Sequence, residues 1–292
     1  MAEKLKKHKS IDEQIALLES RNLLIADKQF ARDVLQNVNY YRLSGYLHNY
    51  KQEDSDKYIE GISFEQILQI YEFDTRLTRL LMFVLEDIEE TLKTRLSYSL
   101  SSMFPNDPKI YLKKKIYRDE EEFKKFRKIF RTAKANNQGI PFIKHHNVKY
   151  NGQLPIWVAV EIFTMGNIDS MYSNLEGKYQ KKIAATYNTG SMQLQNWIEN
   201  LRYTRNHLAH YMRIYRYSFG RIPKSCSNHV TTAKYTGKIF DQIMIMKFMY
   251  SKPEEWNEYV LPELERLFES YKDVVELSGL GFPDDWKDHL KI

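Results

Sequence analysis

The sequence predicts an all-α protein built around one long central helix, and three observations carry that prediction. Glycine and proline are scarce, 11 and 8 in 292 residues, which leaves little turn chemistry for a many-stranded fold. Apolar residues recur at helical spacing from Phe64 to about Ser102 without interruption. Helix-start signatures, a serine followed three residues later by Glu or Gln, stand ahead of two such stretches. The chain can bury a sizeable core. Residues 10–292 read as one helical domain behind a flexible, Lys-rich segment of residues 1–9.

Taken in order, Ser10 with Glu13 starts a helix that buries Ile15, Leu17 and Leu18, and Asp27 starts a second ahead of Phe30, Val34 and Leu35. The stretch Asn39-Tyr-Tyr-Arg-Leu-Ser-Gly-Tyr46 interleaves aromatics with a cation. That pattern suits base stacking, but packing is the more common use of such tyrosines. Ser63 and Gln66 open the central helix, which at ~1.5 Å per residue would run nearly 60 Å before Pro105 and Pro108 end it. Charges along it form surface pairs, with Glu86 or Glu90 also able to orient a base from behind.

Residues 136–152, with Gly139, Pro141, His145, His146 and Gly152, read as a loop. Pro155 fits the first turn of a helix through Trp157 and Phe163 that Gly166 stops. Glu161 lies on that apolar helix, so it is expected to have a partner, an arginine of residues 202–216 being the candidate. Shorter helices are expected near 167–176 and 178–187, then at 191–217, 238–250 and 262–278, with Gly281-Phe282-Pro283 as a terminal turn.

Residues 197–216, WIENLRYTRNHLAHYMRIYR, concentrate the chemistry. Ser191 is the expected N-cap, and Trp197, Ile198, Leu201, Leu208 and Ile214 the buried side. At about 100° per residue, Arg202, Asn206, His210 and Arg213 share one row, placing a candidate base between an amide and two guanidiniums. A histidine beside forked phosphate clamps suits RNA cleavage by attack of a ribose 2′-OH on the adjacent phosphate. Arg205 lies about 140° around the helix from His210, so the two meet only across a helix break or between two chains. The structural alternative is a packed His210 with Arg205 fixing a helix end. His207-x-x-His210 has zinc-ligand spacing, but the local excess of arginine and absence of acids would repel a dication, so no metal is expected.

Arg205-Asn206-His207-Leu208-Ala209-His210 resembles the Arg-x4-6-His motif of HEPN (higher eukaryotes and prokaryotes nucleotide-binding) ribonucleases. Together with 39–46, Tyr71-Glu72-Phe73-Asp74, Leu154-Pro155-Ile156-Trp157 with Glu161, and Gly281-Phe282-Pro283 with Trp286, it resembles the Abi-like abortive-infection family of the AbiD/AbiF type. His207 departs from the motif, where that position is often small or apolar. The resemblance implies a HEPN-like helical bundle, a homodimer with both motifs in a shared cleft, and metal-independent endoribonuclease action in phage defence, without a cofactor. It assigns His210 as base, Arg205 as phosphate stabiliser and Asn206 as hydrogen-bonding partner. Arg202, His207, Arg213 and Arg216 are expected to touch RNA, with Glu161 and Glu86 supporting from behind. The alternative is a non-catalytic module, of the toxin–antitoxin kind, that holds a small structured regulatory RNA or a partner protein.

Charge is compatible with either reading. The net +6 is concentrated: residues 113–134 hold ten Lys or Arg against four acids, and residues 200–240 hold eight and no acid. From residue 253 onward eleven acids face four bases. The 113–134 run is equally well a solvated helix surface. A lone Cys226, no apolar run near ~20 residues and no signal-peptide core lead us to expect a cytoplasmic protein without disulfides or membrane contact.

Overall fold

The computed structural model describes residue 5, residues 7–224 and residues 234–292; Cys226 and most of the expected flexible segment 1–9 lie outside them. No strand or sheet forms among the described residues, and the chain is all-α. The N-terminal helices start where their side chains can satisfy the open backbone donors. α1 (Ile11–Ser20) opens on a reciprocal box between Ser10 and Glu13, and α2 (Lys28–Asn37) on Asp27, which accepts the Phe30 N–H at 2.9 Å. α3 (Tyr40–Leu47) follows from Asn39.

α4 (Phe64–Met103) is the 40-residue spine, opened by the Ser63–Gln66 box and closed just before Pro105. Its buried stripe runs through Ile67, Ile70, Leu77, Leu81, Val84, Ile88, Leu92 and Leu96. α5 (Glu120–Asn136) starts at Asp119, whose side chain accepts the Glu122 N–H. Lys113, Lys114, Lys124 and Lys125 of the basic run pair with Asp107, Glu120, Glu121 and Glu122 at 2.6–3.0 Å. That run is a solvated, partly self-neutralised surface.

Residues 136–152 are not a loop throughout: α6 (Pro141–Lys149) occupies most of them. Proline, a breaker inside a helix, is favoured at its first position, and Pro141 stands there. His145 and His146 are therefore helical. Pro155 precedes α7 (Ile156–Ala159) as its N-cap rather than entering it, and a 3-10 turn follows at Val160–Ile162. Gly166 stops nothing. Thr164 and Asn167 form a capping box that starts α8 (Met165–Asn174), and Gly166 lies in its first turn.

α9 (Gly177–Ala185) leads to α10 (Ser191–Ala209), whose N-cap is Gly190, not Ser191. α11 (Ile239–Met249) is buried nearly all round. α12 (Pro253–Glu255) passes through a π-helical turn, Trp256–Val260, into α13 (Leu261–Ser270). Pro262 lacks an N–H and would crowd the preceding turn, and a widened turn is the local remedy. α14 (Trp286–Leu290) is the last helix described. α3, α7, α8, α9, α10, α11 and α13 all pack on α4, so α4 fixes where the end of α10 lies. No helix among the described residues is long and apolar enough to cross a membrane.

Candidate functional site

α10 buries Leu194, Trp197, Ile198, Leu201, Thr204, His207 and Leu208, a face at 3–4 residue spacing held against α4, α8, α9 and α11. The helix was expected to reach 217, but it stops at Ala209. The reason lies in its last turn. Tyr211 adopts φ +53°, its N–H bonds the Leu208 carbonyl at 2.9 Å, and the Met212 N–H bonds the His207 carbonyl at 3.1 Å. These two bonds around a left-handed residue form a Schellman end. A tyrosine occupies the place glycine usually takes, so the sequence carried no stop signal.

His210 is the C-cap, outside the helix proper. Arg213 is consequently not in one helical row with Arg202, Asn206 and His210.

The chain after the helix is pinned by residues that looked like stacking candidates. Asp74 of α4 is buried and accepts three different donors: the Tyr46 hydroxyl at 2.9 Å, the Ile214 N–H at 2.7 Å and the Tyr215 N–H at 3.0 Å. Burial pushes its carboxyl up to about 6, against the pull of those donors. Arg42 donates to the Tyr211 carbonyl at 3.1 Å and lies 5.8 Å from that ring's centre, and Arg213 donates to the Gly45 carbonyl. The 39–46 and 71–74 motifs thus converge on the segment that follows His210.

The structure separates the two histidines. His207 is 9% exposed, its Nε2 is 2.8 Å from the Arg213 carbonyl, and its ring packs at 4.3 Å from Tyr217 and 5.2 Å from Phe219. Bonding a carbonyl makes Nε2 the protonated nitrogen, and burial lowers the pKa of the ring, keeping it neutral. His207, an expected RNA contact, is therefore packed against Tyr217 and Phe219. His210 and Asn206 are exposed, and neither side chain makes a hydrogen bond among the described residues.

Arg205 is partly exposed beside Glu89 of α4, Nε to carboxylate 3.9 Å, and Glu89 also reaches Lys93 at 3.2 Å. The carboxylate behind the motif is Glu89, whereas Glu86 is exposed one turn away. Glu161, expected to meet an arginine, is likewise exposed and pairs with none among the described residues. Asp169 of α8 takes that role, bonding Arg202 Nε at 2.6 Å. Arg216 pairs with Glu276 at 2.8 Å. Four of the seven polar candidates, Arg202, His207, Arg213 and Arg216, are thus engaged in holding the fold. Of the other three, Arg205 is partly exposed and Asn206 and His210 are exposed, all near the end of α10.

A family model described as "Abi-like protein" matches residues 33–216, more than half of the chain. The chain belongs to the Abi-like protein family. The matched span runs from α2 through the Asp74 clamp to the end of the segment that the clamp holds. No curated protein and no solved structure matches the chain.

Proposed function

We propose that this Abi-like protein is a metal-independent endoribonuclease of the HEPN type acting in phage defence. The observation that carries the reading is the sorting of the motif: Arg205, Asn206 and His210 are turned outward at one end of α10 while His207 is turned inward. In the mechanism, His210 takes the proton of a ribose 2′-OH, whose oxygen attacks the adjacent phosphorus. Arg205 stabilises the charge gathering on the phosphate oxygens, and Asn206 hydrogen-bonds the reacting group. The bond to the 5′ oxygen breaks, that oxygen receives a proton from the imidazolium, and the products are a 2′,3′-cyclic phosphate and a 5′-OH. No cofactor enters.

A second copy completes the site in this reading. Tyr203, Tyr211 and Met212 are 38%, 65% and 54% exposed beside the motif, an apolar fringe suited to pairing two motifs face to face. Incubation of RNA with protein in excess EDTA, followed by end analysis, tests the proposal. Cyclic-phosphate ends made by the wild type and lost in Arg205→Ala and His210→Ala are expected; intact RNA with all three proteins would overturn it.

The proximity of Glu89 to Arg205 leaves room for one other reading, because cutting needs the Arg205 guanidinium itself whereas holding can use the remaining cations. In that reading the chain binds a small structured RNA or a partner protein without cleaving. Affinity would then survive in His210→Ala, and no fragments would form with the wild type.

A further inference from the structure

A second surface with chemistry of its own lies between α6 and α7. Tyr150 closes α6, and Asn151 and Gly152 turn the chain back at φ +52° and +70°. The Gly152 N–H bonds the His146 carbonyl at 3.0 Å, and a Cβ at Gly152 would come within 2.8 Å of Lys134 Nζ. The stretch that follows is tied down by the Tyr111 hydroxyl on the Leu154 carbonyl, 2.9 Å, and by the Ile156 N–H on the Pro108 carbonyl, 2.8 Å. These bonds hold open a cavity of about 610 Å³ lined by Lys109, His146, Lys149, Tyr150, Gln153 and Trp157.

Trp157 is the informative residue. Leu154 and Ile156 beside it are buried, yet the indole is 51% exposed, and Trp197, Trp256 and Trp286 are all buried. Tyr150 is 46% exposed on the same cavity. Among the described residues no carboxylate lines it. His146 commits Nδ1–H to the Phe142 carbonyl at 2.8 Å, leaving Nε2 as an acceptor, and Gln153 spends its carbonyl on Lys109 and keeps its amide donors.

An exposed indole, a phenol, two ammonium groups, one acceptor and one amide donor match a planar heteroaromatic group joined to an anion. A purely apolar ligand would leave the lysines unused, and a bare phosphate would leave the indole unused. We propose that this cavity binds one unpaired nucleotide, the base stacked on Trp157 and the phosphate held by Lys109 and Lys149. It shares no residue with the α10 motif and holds whether or not the chain cuts RNA.

The test uses the full chain with adenosine monophosphate, a labelled hexa-adenylate and inorganic polyphosphate as probes. Because the other three tryptophans are buried, fluorescence quenching reports Trp157. Saturable quenching by the adenylates is expected. Trp157→Ala should weaken hexa-adenylate binding by ~10-fold, and Trp157→Phe should restore most of it, since the stacking ring is lost and regained. Lys149→Ala should weaken binding and flatten its salt dependence. Adenosine monophosphate has no phosphodiester bond to cut, so its quenching of Trp157 is read apart from cleavage at the α10 motif, which separates this site from the cleavage proposal. Hexa-adenylate binding much tighter than the monophosphate assigns the nucleotide to an RNA strand; similar affinities assign it to a free nucleotide. No quenching by either adenylate, or polyphosphate binding as well as hexa-adenylate with Trp157→Ala unchanged, overturns the proposal.

Discussion

The Asp74 clamp and the Arg205–Asn206–His210 face lie on either side of the same chain turn, and they use polar groups in opposite ways. Asp74 is buried and its carboxyl oxygens accept from three donors: one hydroxyl and two backbone N–H groups. In the other group Arg205 is partly exposed, and the exposed Asn206 and His210 leave their side chains without hydrogen bonds among the described residues. Buried polar groups left unpaired are costly, so the clamp acts as an all-or-none brace. Exposed groups cost little to leave open, so they are available for a ligand. The contrast divides the polar residues of the motifs into those that hold position and those that are positioned.

Breaking the clamp should have the largest effect on stability. Asp74→Ala strands the Tyr46 hydroxyl and the N–H groups of Ile214 and Tyr215, and should lower stability by roughly 3–5 kcal/mol, seen as a lower urea midpoint. Asp74→Asn, which retains a carbonyl acceptor, should recover part of that.

The same carboxyl gives the clamp a pH signature. Its folded value, about 6, lies above the ordinary 3.8, so folding takes up a proton between those values. Its contribution to stability is therefore greatest below about 4, falls as pH rises to about 6, and is flat beyond. Urea midpoints of wild type and Asp74→Asn measured from pH 4 to 7 should converge or diverge only within that window; a constant difference would refute the assignment.

His207→Ala removes the ring packed on Tyr217 and Phe219 and the bond to the Arg213 carbonyl. A loss of about 1–3 kcal/mol is expected. Smallest is Tyr211→Gly: relief of the left-handed strain, about 1 kcal/mol, is offset by loss of the ring beside Arg42, so the melting temperature should move by only a few degrees.

Much of the fold was legible because its signals are local. The boxes Ser10–Glu13 and Ser63–Gln66 and the cap at Asp27 act within four residues, and the α4 stripe repeats itself over ten turns' worth of sequence. The misreadings came from residues with two uses. Pro141 starts a helix instead of breaking one, Gly166 sits inside a first turn, and Tyr211 ends α10 in a conformation that no residue type announced.

At the candidate site the motif singles out Arg205, Asn206 and His210 as expectations, and it says nothing of what surrounds them. Asp74 meets Ile214 and Tyr215 from 140 and 141 residues away, and only the tertiary fold brings them together. Glu89 rather than Glu86 backs Arg205, and Asp169 rather than Glu161 meets Arg202. On a helix, charged residues a turn apart are equivalent in sequence until a neighbour selects one.

The most direct test of this division is to assay RNA cleavage and thermal melting on the same preparations of wild type, His207→Ala and His210→Ala. His210→Ala should melt with the wild type and make no fragments. His207→Ala should melt several degrees lower and, below its transition, still produce cyclic-phosphate ends. A stable His207→Ala protein that no longer cleaves, beside a His210→Ala protein that does, would contradict the account.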